Sequence, residues 1–454
     1  MAEAAGIMGA AFGTRLVRVA LIGAVALLAA CDEREVYLPG KRENVRDVLA
    51  TEAPGPGPND VAANRSVRIA LPRATMNAEW LQRPGTPSTR TAHPALAAAP
   101  RLAWSAPIGA GDSRRNRITA SPVVMGGRVF TLDAEAQVTA TSTAGQTLWQ
   151  TNLVPPRERG SDATGGGLAA GGGLVYVSSG FGTLTALDPA SGGIAWQQKL
   201  EAVGNGSPTY FKGVVYLVSG DATGWAIDPK TGRVLWQITS AAAMNDTLGG
   251  PAPALTETYA IFPFSSGQII GAFRKGGLRQ WEGYVSGRRA GYARANVGGI
   301  TGDPVVVGDT VYVGSQSGRL VAMNVGNGEP VWTANEGPQA PVTVIGGSVF
   351  MVSDRNELLR LDAATGERIW GVELPFFTSG SFRRQHEIFV HYGPVVAGGQ
   401  VIIASNDGLL RFFDPASGAM TRSVEIPGGA TVNPVVAGGT LYVVSSDGKL
   451  LAYR

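Results

Sequence analysis

From residue 101 to the end, the chain repeats one short pattern eight times, and a repeat of this kind leaves few folds open. Residues 304–332 show it most clearly. Pro304 opens a short strand that Gly308 and Asp309 reverse, because a tight hairpin turn needs the positive φ that Gly, Asn and Asp adopt cheaply. A second strand runs through Tyr312, Gly318 helps the next reversal, and a third strand carries Ala322. A Gly-containing turn then leads to a fourth strand ending on Trp332. Copies at 122–149, 165–196, 208–236, 253–281 and 341–370 end likewise on Trp149, Trp196, Trp236, Trp281 and Trp370. A copy from Pro394 loses its Trp near Met420, and the last, from Pro434, stops at Arg454 without a fourth strand. The third-to-fourth-strand turns recur too. Those opened by Asp188, Asp228, Asp362 and Asp414 close on Gly192, Gly232, Gly366 and Gly418. Asp caps such a turn and Gly supplies its left-handed position.

A period of roughly 40–50 residues with four strands fits one blade of a β-propeller. The missing fourth strand of the last copy has a counterpart at the other end, where residues 101–106 form an orphan strand with Trp104. Joining the two closes the ring and removes two exposed sheet edges. The expected fold is therefore all-β: an eight-bladed propeller of four-stranded antiparallel blades, closed by pairing of an N-terminal strand with the C-terminal blade. An open β-solenoid is the alternative, but it has no use for the orphan strand. Tyr176, Tyr216, Tyr312 and Tyr442, with the repeat Trp residues and small Ala186 and Ala322, are assigned to the core.

The residues before the repeats read differently. Arg15 and Arg18 precede an apolar run over 19–30, too short to span a bilayer comfortably and ending Leu28-Ala29-Ala30 before the chain's single cysteine, Cys31. This resembles a bacterial lipobox, which implies removal of residues 1–30 and lipidation of Cys31; a plain signal peptide or an uncleaved anchor is the alternative. Residues 31–100 are expected to be a partly disordered tether, since the Pro/Gly alternation of 54–58 sustains neither helix nor sheet. The stretch from Asn77 through Trp80 to His93 is the exception, because a Trp is costly to leave in water.

Several chemistries are excluded or disfavoured. A formal charge of +3 over 454 residues, with no Lys/Arg stripe, gives no support to nucleic-acid binding. One cysteine forbids an intramolecular disulfide, a C-x-x-C-H haem attachment and a Cys-based zinc site. His386, Glu387 and His391 have a helix-type metal spacing, but in strand or loop context they need not converge and read as surface or packing residues. Glycine-rich 165–167 and 171–173 flank strands rather than helices, so they do not read as phosphate loops. No metal or catalytic residue is assigned.

The unit V-Y-V-x-S-x-x-G-x-L-x-A-L-D-x-x-x-G-x-x-x-W resembles the repeat of quinoprotein alcohol dehydrogenases over about 101–454. Lipobox, tether and repeat number bring the chain closer to the BamB-type lipoproteins of the outer-membrane β-barrel assembly machinery. That resemblance implies a non-catalytic scaffold without cofactor, a monomer within a hetero-complex that binds the periplasmic domains of BamA and assists outer-membrane barrel assembly. It also implies lipid anchoring at the periplasmic face of the outer membrane. Asp32 departs from this, since Asp after the lipidated cysteine holds enteric lipoproteins at the inner membrane. A quinone-dependent dehydrogenase and a periplasmic ligand-binding propeller are the alternatives; the first lacks its usual adjacent cysteine pair here, and Trp225 is the only non-repeat Trp within the propeller.

Insertions between copies are where recognition is expected. They fall at 153–164, 240–251 and 283–302. By order, the second and third occupy the places of the BamA-contacting loops in the resembled family. The partner-binding residues so implied are Met244, Asp246, Leu248, Arg288, Arg289, Tyr292, Arg294 and Asp303. Aromatic and Arg content near 284–294 suits an interface hot spot, and the same stretch reads equally well as a solvated loop.

Overall fold

The computed structural model describes residues 63–454 except 205, 244–247, 288 and 290–297. Cys31, Asp32, the leader expected over 1–30 and the first part of the tether expected over 31–100 lie outside the described residues. Residues 62–454 form one compact unit.

Eight four-stranded antiparallel sheets are present, each a blade whose strands are neighbours in sequence order. Blades 1 to 7 occupy 123–152, 166–199, 209–239, 254–284, 305–334, 343–373 and 391–425. Blade 8 takes three strands from 435–453, and its fourth is Leu102–Pro107, paired antiparallel to Lys449–Tyr453 with Trp104 opposite Ala452. The ring is thus closed by strands from opposite ends of the propeller sequence, as the orphan strand implies.

Burial follows strand position. First strands lie nearest the axis, and second and third strands are almost wholly buried, as in Val175-Tyr176-Val177 and Leu184 to Leu187. Fourth strands are more exposed, as in Thr147–Asn152, except in blade 6, where Arg368–Glu373 is largely buried. The apolar core sits between blades, in clusters that join residues of adjacent sheets. Most repeat Trp residues face a small residue on the third strand, as Trp196 does Ala186, Trp332 Ala322 and Trp281 Gly271, whereas Trp370 faces Arg360.

Indole N–H bonds also fasten most blades to the next. The indole N–H of Trp149 donates to Pro189 O at 3.1 Å, Trp196 to Pro229 O at 2.8 Å and Trp332 to Ala363 O at 3.0 Å, all in the following blade's third-to-fourth-strand turn. Trp104 of blade 8 donates to Thr143 O of blade 1 in the same way, which carries the pattern across the closure. The turn glycines lie flat on these rings. A Cβ on Gly366 would meet Trp332 at 2.5 Å, and φ there is +75°.

Blade 7 breaks the pattern for a visible reason. Its register puts Arg422, not Met420, in the Trp position, opposite Phe412. The guanidinium lies 4.3 Å from the Phe412 ring centroid, a cation–π contact in place of an indole. The following blade offers no turn to receive an indole, because its third and fourth strands are two separate stretches of chain, held at their ends by Arg101 N–H to Arg454 O and the reverse bond.

Residues 63–100 form little regular structure, yet they are fixed to the propeller. Arg65 N–H donates to Ile369 O on the outer strand of blade 6, and Arg360 of the same blade donates to Val67 O at 2.5 Å. The chain then passes inward and crosses the axis.

Candidate functional site

The axis of the ring has two differently occupied halves. In the half nearer the first-to-second-strand hairpins, residues 77–94 run past all eight blades. Asn77 donates to Val436 O in blade 8. Trp80 exchanges two backbone hydrogen bonds with Val124 of blade 1, and Ala170 of blade 2 donates to Leu81 O. The Gln82 amide pairs with the backbone of Tyr210 in blade 3. Leu255 of blade 4 donates to Pro87 O, and Val306 of blade 5 to Ser88 O. Arg90 donates to Pro341 O beside blade 6, and His93 Nε2 accepts from Gly399 of blade 7. Innermost strands have one edge free toward the axis, and this segment supplies partners for backbone groups that would otherwise need water. Trp80 is fully buried in the process. The segment is a plug.

Its two arginines reach toward the opposite end. Arg83 donates to Gly249 O and Gly250 O, and its Nε lies 3.2 Å from Asp303 Oδ2. The Asp303 side chain has no exposed surface, and its other oxygen accepts from Ala252 N–H at 2.7 Å. Burial brings the Arg90 guanidinium down to about 10, with Asp303 opposing that shift and Arg83 adding to it.

Above the plug, on the face formed by the connectors between blades, lies a funnel of about 740 Å³. Arg83 and Ser121 contribute to its lining, together with Leu248, Gln316, Gln339, Ile388 and Tyr392. His391, at the start of blade 7, also faces it. Both ring nitrogens of His391 are engaged, Nε2 with Pro375 O at 2.8 Å and Nδ1 with Ser405 Oγ at 2.6 Å. A carbonyl can only accept, so Nε2 carries the proton and Nδ1 accepts from the serine. Burial holds this imidazole below the ordinary histidine value.

The sequence-assigned partner residues part company here. Met244, Asp246, Arg288, Tyr292 and Arg294 lie outside the described residues. Leu248 is about half exposed at the funnel rim. Arg289 bonds the carboxylate of Asp354 and Asn335 O, which clamps the blade 4–5 connector to blade 6 and its entry. Asp303, read from sequence as a loop acid, is a buried partner of the plug. Arg83 and Arg90, absent from the sequence assignment, had no local signal; only the isolated Trp80 hinted that the segment was packed. His386 is exposed, apart from buried His391, and among the described residues no three His, Cys, Asp or Glu gather as a metal site.

The sequence model of the family described as outer membrane protein assembly factor BamB matches residues 134–372, more than half of the chain. The chain belongs to the BamB family. The match runs from blade 1 through blade 6. The outer membrane protein assembly factor BamB of Salmonella typhimurium is 32% identical over 237 residues, 51% of this chain and 60% of that protein. The chain therefore spans less than two thirds of this BamB relative. The crystal structure of BamB from Moraxella catarrhalis superposes with a TM-score of 0.63 at 17% identity, covering 78% of this chain and all of that one. Quinohemoprotein alcohol dehydrogenase from Comamonas testosteroni superposes at 0.60 with 15% identity, covering 84% and 81%. At such identities the two structures speak to the fold alone.

Proposed function

We propose that this protein is a non-catalytic, lipid-anchored scaffold of outer-membrane β-barrel assembly. The observation that carries the reading is the family match across 134–372. In this reading residues 1–30 are the leader, Cys31 bears the lipid, and 63–454 include the working domain at the periplasmic face of the outer membrane. Asp32 makes sorting in this organism the point to check. The partner is the BamA-type barrel-forming subunit, met through its periplasmic domains by the connector face of blades 3 to 5. Leu248 there is exposed enough to enter an apolar contact, and Arg289 holds the neighbouring connector in place. Met244, Asp246, Arg288, Tyr292 and Arg294 belong to the same proposed surface, whereas Asp303 would act only by holding the plug.

The test is affinity capture of the full-length lipoprotein from membranes in mild detergent. The barrel-forming subunit should co-purify, and Leu248→Arg should reduce its yield without lowering the melting temperature. Recovery of no barrel protein would overturn the reading.

Quinone-dependent oxidation is the second reading, raised by the resemblance of the repeat unit to that of quinoprotein alcohol dehydrogenases. The residues present fit it poorly. Asp303 is committed to Arg83, His391 to Ser405 and Pro375, and the single cysteine cannot form an adjacent pair.

A further inference from the structure

The channel shows, with its own chain, what it can hold. The plug bonds backbone to backbone, at Trp80, Leu81, Pro87 and Ser88, with the innermost strands of four blades. Backbone-to-backbone bonding at a free strand edge is a general way of holding polypeptide without reading its sequence. The plug takes only one half of the axis. The funnel is the other half, and about 740 Å³ lies within the ~300–1,000 Å³ range of ligand pockets.

Its lining narrows the ligand class. Gln316 and Gln339 offer amides, which both donate and accept, as a peptide backbone requires. Ser121 is only 3% exposed, yet its Oγ has no hydrogen-bond partner and it faces the funnel. Leu248 and Ile388 add separate apolar patches for side chains. Charge gives no preference, since Arg83 is met by Asp303 and Arg117 by Asp112, leaving Glu387 as the remaining acid at the rim. Tyr392 is the single aromatic among the lining residues, too little to stack a sugar ring or a base.

We propose that the funnel binds an extended, uncharged polypeptide segment with alternating polar and apolar side chains, such as a β-strand-forming stretch of an unfolded chain. The inference leans on the scaffold reading only for where that segment comes from.

The probe is a fluorescein-labelled ten-residue peptide of alternating Thr and Val, with an alternating Thr-Pro peptide as the partner that cannot offer its N–H groups. Fluorescence anisotropy measures each against the full chain. Gln316→Trp fills the funnel, and Thr147→Trp, on an exposed outer strand, leaves it open. The Thr-Val peptide should bind saturably, at least tenfold more weakly to Gln316→Trp, unchanged to Thr147→Trp, and more tightly than the Thr-Pro peptide. Equal affinity for both variants, equal affinity for both peptides, or no saturable binding would overturn the proposal. Should Gln316→Trp melt early, a photo-crosslinker at Ile388 decides instead: an adduct with the peptide supports the funnel, and labelling confined to outer strands refutes it. Capture of the barrel-forming subunit by Gln316→Trp reports on the scaffold reading separately.

Discussion

His391 is held at both ring nitrogens in a site that burial keeps uncharged. Its folded value lies below the unfolded one of ~6.5, so as pH falls the unfolded chain takes the proton first. Stability is therefore full above ~6.5 and is lost as pH drops from there through the lower folded value, by at most about 1.4 kcal/mol per pH unit. Urea titrations between pH 7.5 and 5 should show that loss, and His391→Gln should flatten it; the same slope in both proteins would mean that other groups cause it. At this scale the sequence was least legible. Asp303 looked like any loop acid, because its partner Arg83 stands 220 positions earlier and only the fold brings them together. Arg422 was equally hidden. The lost Trp was placed near Met420, and only the ladder register moves it to the residue stacked on Phe412.

Blades were legible because their rules are local. Glycines at tight turns, alternating buried strands and a terminal Trp recur at a period that four hairpin-linked strands impose, so strand order could be written from spacing. What spacing could not give is the docking between blades, where most repeat Trp residues donate into the next blade's turn and a glycine lies against the ring. Gly366 is a sharp case, with φ at +75° and Trp332 in the way of any side chain. Gly366→Ala combines left-handed strain with overlap and should cost ~1–3 kcal/mol, read as a lower urea midpoint at unchanged m-value. An unchanged midpoint would show that the ring and turn are free to move apart.

On the scale of the whole molecule, two features make the propeller one body. Closure by Leu102–Pro107 was readable from sequence, since a surplus strand at one end matched a deficit at the other. The plug was only partly so: Trp80 marks 77–93 as packed, but residues 63–100 carry no period and owe their conformation to groups on every blade, partners that spacing does not show. A propeller with its channel stopped presents a funnel on its connector face, and both functional proposals depend on the plug being seated. Hydrogen exchange on the intact protein tests this directly, through the amides of Val124, Ala170, Leu255 and Val306, each bonded to the plug. They should be protected as strongly as mid-blade amides such as that of Tyr176. Exchange of those four amides at rates of unbonded, solvent-exposed backbone, with Tyr176 still protected, would contradict a plugged ring.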